Sequence, residues 1–471
     1  MLFGGEMMSG KQKTARGGIF GADVDMLGGS LPSSLARYAF PLMLTSVLNV
    51  LYNAADIAVV GNFAGEIAVA SVGATTSTIN LLVMIFVNIS IGMSILLSRY
   101  RGAGDISNVK KTLSTGYAFS LIAGIFVMVV GIFAARPMMM LIKCPDNVID
   151  GAVLYIRIYM IGVPATMFYN FMSYVLRTLG DSRRPFFYLA LSGLANVLLN
   201  LIFVIGFGMD VDGVAIATVV AQYLSAILLF FRLTEFRDEN RLHPLKLEVY
   251  GDTLSKMIRY GVPSAISGAS FSFSNLLIQS AINEYGDYAI SGNTAASHIE
   301  NIFLFSIAGT LCQTAAAFIA QNIGAGNRER CVKIARQIYI YGGVTIGCVG
   351  LLALLFDREL LSIFVPGESG SLDFGVMALD IRMIFCLMFG ILQISNGIMQ
   401  AFGYTTYQMV NSLIGIVGVR FIWMLLIYPS FKTPFMLLIC YPITWTVAFI
   451  GALPMALVLL SKYRRGKEYK L

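Results

Sequence analysis

Long apolar runs separated by short polar segments follow one another from residue 36 to residue 461. A helix that crosses a bilayer core needs roughly 20 mostly apolar residues. Twelve runs meet this: 36–60, 67–97, 112–135, 151–176, 185–207, 213–232, 256–282, 288–320, 334–356, 376–402, 407–428 and 435–461. They are too long and too continuously apolar for the short alternating strands of a closed barrel. The pattern therefore predicts an all-α polytopic membrane protein with twelve transmembrane helices. Residues 1–30 are Gly-rich and polar and show no apolar core followed by a cleavage site, so the first span is expected to start insertion.

The runs repeat. Arg37-Tyr38-Ala39-Phe40-Pro41 returns as Arg259-Tyr260-Gly261-Val262-Pro263, an offset of 222, and Gly102-Ala103-Gly104-Asp105 returns as Gly324-Ala325-Gly326-Asn327 at the same offset. Arg157 and Arg382 pair at 225, and Leu179-Gly180 resembles Phe402-Gly403 at 223. The chain thus reads as two six-span lobes in a parallel (6+6) repeat around a central cavity. The expected organisation is an N-terminal tail (1–34), a first lobe (35–232), an inter-lobe loop (233–255), a second lobe (256–461) and a basic tail (462–471). An even number of spans per half makes both halves enter the membrane the same way. Cavities in such folds lie near mid-membrane between the repeats, which points to a transporter.

Charge sets the orientation. With the N-terminus inside, the inner segments hold 25 of the 33 Lys and Arg, the outer loops hold only Arg136, Lys143, Arg358 and Lys432, and Arg37, Arg157, Arg382 and Arg420 lie in or at spans. This bias places both termini in the cytoplasm, and the expected location is the plasma membrane of a prokaryote. It also accounts for the net charge of +7 without a nucleic-acid partner. Composition agrees, with 57% hydrophobic and 13% charged residues, against about 25% charged in soluble domains. The 6 Cys are scattered without a CxxC, and the 2 His, His243 and His298, are too few for a His-rich metal site. No cofactor and no resident metal are expected. The expected partners are small-molecule substrates and membrane lipids, with no obligate protein partner, so the chain is expected to act as a monomer.

Polar residues inside the spans mark candidate sites. Ser46, Asn49, Asn53 and Asp56 are spaced 3, 4 and 3 and share one face of the first span. Ser192, Asn196 and Asn200 do so in the fifth. Gln393, Asn396 and Gln400 in the tenth span match Asn170, Ser173 and Arg177 in the fourth at offset 223, and Asn53 maps to Asn275 at 222. Such faces point into the bundle or a wet cavity, because lipid exposure is costly. Their bland role is to hydrogen-bond neighbouring helices together. Asp56 differs, since a carboxylate within the membrane costs about 2.5–3.5 kcal/mol and titrates nearer neutral pH. It is the candidate coupling residue, for H+ or for Na+ held with neighbouring amides, and it maps to Ile278 in the second half. Glu300 lies about twelve residues, roughly 18 Å, into the eighth span and shares a face with Asn293 and Ser297, with His298 turned away. It either attracts a cationic substrate or pairs with Arg420, Arg382 or His298. The stretch Gly5 to Gln12 nearly spells a phosphate-binding loop, but it ends in Gln and follows no strand. The GAGD and GAGN turns read as tight turns whose Asp105 and Asn327 cap the next helix.

Pro41, Leu51-Tyr52-Asn53-Ala54-Ala55-Asp56, Val60-Gly61, Ala70-Ser71-Val72-Gly73, Arg101-Gly102-Ala103-Gly104-Asp105 and Gln321-Asn322-Ile323-Gly324-Ala325-Gly326-Asn327 resemble the multidrug and toxic compound extrusion (MATE) family. The resemblance covers nearly the whole chain. It implies a V-shaped two-lobe antiporter that expels drug-like, often cationic and aromatic compounds in exchange for H+ or Na+, with Asp56 central to coupling. Where many members carry an Asp in span 5 this chain has Asn200, although Asn196 matches. Phe271 stands where another branch has a Glu in span 7, and the span 10 region near Phe389 is apolar. Asp56 with Asn53, Asn196 and Asn200 is therefore the expected ion-coupling group. Asn49, Asn170, Ser173, Asn275, Glu300, Gln393 and Asn396 are the expected cavity residues. A lone carboxylate among amides suits H+ better than Na+, which asks for more oxygen ligands. The alternative is a flippase or exporter of lipid-linked or anionic metabolites, which calls for several cavity Arg or Lys. A membrane enzyme needs clustered acids, His or a metal site, and a receptor needs neither a buried acid nor two-lobe symmetry.

Overall fold

The computed structural model describes residues 23–63, 66–142, 144–236, 240–244, 247–365 and 370–468. Within its helices the side chains of 53–58, 60–63, 66–67, 69–70, 76–77 and 80–81 lie outside the described residues. Two of the expected ion-coupling residues, Asn53 and Asp56, are among them.

The described residues form helices and turns and contain no strand. Twelve rods follow in order. The first half holds α1 (Leu31–Phe63), α2 (Glu66–Gly102), α3 (Ile106–Leu141), α4 (Asp146–Thr178), α5 (Arg183–Gly206) and α6 (Val211–Thr234). The second half holds α7 (Gly251–Asn283), α8 (Asp287–Gly324), α9 (Arg328–Leu355), α10 (Gly370–Ile384 and Cys386–Ala401), α11 (Thr405–Phe431) and α12 (Pro434–Arg464). Each expected span falls on one rod. Several rods outrun the bilayer core: α2 has 37 residues, about 55 Å at 1.5 Å per residue, against a core of about 30 Å.

Local chemistry sets the ends. Asp105 caps α3 by accepting the Asn108 backbone N–H at 3.0 Å and its side-chain amide at 2.7 Å. Those bonds hold its carboxyl below the ordinary Asp range, the backbone N–H contributing most. Asn327, expected to cap α9 in the same way, does not. Its amide instead donates back to Asn322 Oδ1 at 3.4 Å. Gly104 and Gly326 take φ of 70° and 71°, the left-handed turn that a residue with a Cβ rarely adopts.

Several rods are irregular where hydropathy gives no warning. α10 bends by 52° at Phe385, and α8 widens over Asn301–Phe305. There the Asn301 carbonyl accepts the Ser306 backbone N–H, five residues on, and also the Ser306 hydroxyl at 2.8 Å. Widened turns also occur at Ile202–Gly206, Leu413–Gly418 and Trp423–Ile427.

Each half has its own apolar core, and the halves exchange their opening segments. Leu31, Leu35, Tyr38 and Leu42 of α1 belong to the core of the second half, where Tyr38 meets Phe318 edge-on at 5.3 Å. Met257 and Tyr260 of α7 belong to a core of the first half. This exchange ties the halves together at the end carrying the GAGD and GAGN turns, the basic end. Residues 24–30, expected as part of a tail, dock there as well. Val24 N–H donates to Gly180 O at 3.2 Å, and Met26 O accepts from Asn322 at 3.0 Å and Arg330 at 3.3 Å.

Candidate functional site

A cavity of about 470 Å³ lies between the halves. Its size suits a drug-sized molecule. Helices α1, α2 and α4 line one side, and α7, α8, α10 and α11 the other. Four of the expected cavity residues, Asn49, Asn170, Gln393 and Asn396, are on its wall. Asn170 donates to Thr166 O at 2.8 Å, and Asn396 donates to Gln393 Oε1 at 2.8 Å. Ser173 is buried behind Asn170 and donates to its carbonyl at 2.9 Å. Phe271, Phe305 and Phe389 supply an aromatic face, with ring centroids 5.7 and 4.9 Å apart in sequence order.

The floor of the cavity is closed by contacts that obey the internal repeat. A β-carbon built on Gly102 would lie 1.9 Å from Gln321 O, and one built on Gly324 would lie 2.0 Å from Arg99 O. Only glycine permits either approach. The Arg99 guanidinium donates to Ala401 O at 2.7 and 3.0 Å, and Gln321 donates to Thr178 O at 3.3 Å. Arg99 and Gln321 are related by the 222 offset, and Thr178 and Ala401 by 223. The same clasp is therefore made twice about a pseudo-two-fold axis. Arg177 adds a third tie, donating to Gln313 Oε1 at 2.9 Å across the cavity floor.

The expected ion-coupling residues divide. Asn196 and Asn200 are fully buried in the first half. Asn196 donates to Thr218 of α6 at 3.3 Å and accepts from Asn200 at 3.4 Å. One turn earlier, the Ser192 hydroxyl meets Tyr52 of α1 at 2.9 Å, and a β-carbon on Gly193 would lie 2.5 Å from the Tyr52 ring. Asp56 follows Tyr52 by four residues, as Asn196 follows Ser192.

Glu300 and Asn275 stand apart from the cavity wall in a buried charged cluster. Glu300 accepts from Arg382 at 3.1 Å, with the two side chains 4% and 0% exposed. Arg382 also reaches Asn293 and, at 3.4 Å, Ser297. The three polar residues of the predicted α8 face thus converge on one guanidinium. His298 is turned away, stacked on Phe364 at 5.4 Å. Asn275 accepts from Arg420, whose guanidinium lies 4.8 Å from the Tyr441 ring and 5.5 Å from Phe271. Arg420 is fully buried, and its Nε and Nη2 have no hydrogen-bond partner. Tyr441 serves both arginines, with Arg382 4.4 Å from its ring. Sequence reasoning named both arginines without finding Tyr441, because aromatic stacking across helices carries no spacing signal. It also left Arg177 outside the candidate cavity, although the 223 offset pairs it with Gln400, which does line the wall.

Among the described residues, twelve rods in two repeated halves surround a shared cavity, the architecture of a membrane transporter. The MatE family model matches residues 41–202 and again 263–425, its two starts separated by the same 222 residues. The chain therefore belongs to the multidrug and toxic compound extrusion family. It is 29% identical over 407 residues to a protein of Bacillus subtilis (strain 168) named "Probable multidrug resistance protein YoeA", covering 82% of this chain and 85% of that protein. The fold matches a structure described as "Crystal structure of MATE in complex with MaL6" with a TM-score of 0.86 at 20% identity, over 94% of this chain and 99% of the other. It also matches an "Outward-facing conformation of a multidrug resistance MATE family transporter of the MOP superfamily", with a TM-score of 0.84 at 20% identity and the same coverages.

Proposed function

We propose that the protein is a secondary active antiporter that exports drug-like organic compounds in exchange for H+, or Na+, by alternating access of its two lobes. The observation that carries this is the cavity itself, shared by both halves and sealed at one end by a clasp made twice about a pseudo-two-fold axis. A symmetric seal supports a scheme in which the halves rock about the cavity and open one end at a time. The multidrug-resistance name of the Bacillus relative supports drug-like cargo.

The basic end is the cytoplasmic end in this reading, because Lys and Arg collect on that side. The clasped geometry is then the outward-facing state. Helix α1 connects the ion to the lobes. Its opening turns pack in the core of the second half, while Tyr52 ties its later turns to α5 of the first. Pro41 lies near the end of the first of these regions and removes one intrahelical hydrogen bond, which eases bending there. Asp56 sits beyond Tyr52. Its protonation from outside removes a charge from α1 and lets cargo leave. Release of the proton inside follows the swing of the lobes. Inward movement of one charge supplies about 2.3 kcal/mol per 100 mV, enough for about a fortyfold cargo gradient.

The test uses purified protein in liposomes loaded with fluorescent dyes, with either a pH or a Na+ gradient imposed. Dye movement that follows one gradient supports antiport and names the ion. Movement that follows neither refutes it.

A further inference from the structure

We infer that the central cavity takes cargo bearing an anionic group (a carboxylate, sulfonate or phosphate) beside an apolar or aromatic body, with Arg177 as the docking cation. The inference rests on the transport reading and names the cargo class of the same cavity.

Arg177 is the one charged side chain among the described residues of the cavity wall. Its neighbours leave that charge in place. Gln313 accepts from it as a neutral amide at 2.9 Å, and the Tyr174 ring lies 5.1 Å from its guanidinium carbon. Its Nε has no hydrogen-bond partner. No described carboxylate lies within ion-pair distance. The repeat sharpens the point. The counterpart of Arg177 is Gln400, which also lines the wall and donates to Gln408 at 3.2 Å. That bond stays within the second half, whereas Arg177 reaches across to Gln313, so at this repeated position only the first half presents a charge to the cavity.

The opposite wall carries the same sign. Phe271 lines the cavity, and the Arg420 guanidinium lies 5.5 Å from its ring on a fully buried side chain. Glu300, the acid expected to draw a cationic cargo, is committed to Arg382. A cation entering this space faces Arg177 on the wall and Arg420 behind Phe271, neither with a paired carboxylate among the described residues. An anion gains a charge-assisted hydrogen bond in a site of low dielectric. The face of Phe271, Phe305 and Phe389 takes the apolar part of the same molecule.

The test measures binding without any gradient, using fluorescence anisotropy on the full chain in lipid nanodiscs. The probes are carboxyfluorescein and rhodamine 123, which share a xanthene body and differ in charge. The expected result is that carboxyfluorescein binds about tenfold or more tightly than rhodamine 123. Added salt should weaken only the anionic dye. Arg177→Gln, which keeps an amide able to bond Gln313, should remove the preference, and Arg177→Lys should retain most of it. Failure of carboxyfluorescein to bind, equal or tighter binding of rhodamine 123 to the native protein, or an unchanged anionic affinity in Arg177→Gln would overturn the inference. Gradient-driven movement of rhodamine 123 alone leaves the transport reading standing and this inference fallen. Charge-selective binding without gradient-driven movement of either dye does the reverse.

Discussion

Replacing Gly324 by Ala asks directly whether the close approach at the basic end holds the lobes shut. The new methyl would sit 2.0 Å from Arg99 O, whereas ordinary contact begins at 3.4 Å. The neighbour is backbone, so a side chain cannot simply swing aside. Relief requires the ends of α2 and α8 to separate by about 1.4 Å or to strain locally, and such overpacking costs about 1–3 kcal/mol. That cost falls only on the clasped state, so the balance between clasped and open arrangements shifts about 5- to 150-fold toward open. The assay is a spin-label distance measurement between Lys110 and Lys333, both exposed, one near the start of α3 and one near the start of α9. The expected result is a new population at longer distance in Gly324→Ala and in Gly102→Ala. Gly343→Ala serves as the control, because a β-carbon on Gly343 meets nothing within 4 Å. An unchanged distance distribution in a variant of normal thermal stability would refute the reasoning.

Other expectations concern the charged cluster, the N-terminal segment and the caps. Arg382→Leu strands the buried Glu300 carboxylate and should destabilise the second half by about 3–5 kcal/mol, read by thermal unfolding in detergent, with the added change Glu300→Gln recovering part of the loss. No recovery in the double variant would contradict the pairing. Arg330→Ala removes donors to the carbonyls of Met26, Gly28 and Gly29 and should raise hydrogen exchange over residues 24–30 while leaving α5 and α6 unchanged. Unchanged exchange there would mean that Met26 burial and the Val24 and Asn322 bonds hold the segment without Arg330. Asp105→Ala should cost about 1 kcal/mol through loss of the α3 cap, and Asp105→Asn should retain most of it. Because the Asn108 bonds lower the folded pKa of Asp105, the cap contributes fully above the unfolded value of about 3.9. It fades as pH falls through the lower folded value, so exchange at the first turn of α3 should rise only in acid. A rise between pH 5 and 7 would contradict this.

Much of the fold was legible because membrane spans are written in long apolar runs and the repeat in short matched motifs. Even α7, the most polar rod, stood out, since Arg259 to Pro263 repeats the start of α1. The bend at Phe385 was not legible, having no proline or glycine at the break. The polar faces led to Asn49, Asn170, Gln393 and Asn396 on the cavity wall, since helical spacing and the 223 offset are both local information. Glu300 shows the limit. Its face was readable from Asn293 and Ser297, but its partner depended on how α8 packs against α10, a tertiary fact. Arg177 was legible only as the repeat counterpart of Gln400, because nothing in its spacing tells that Gln313 meets it from the other half. Asp56 and Asn53 remain identified by sequence, their side chains lying outside the described residues.

The account stands most directly on the response of Asp56→Asn in liposomes under opposed pH and Na+ gradients. The native protein should drive dye movement with one of the two gradients. The variant, keeping the amide-lined cavity, should bind the dye with similar affinity and lose gradient-driven movement. Gradient-driven movement that continues undiminished in Asp56→Asn would contradict the claim that a single carboxylate on α1 links the ion to the swing of the lobes.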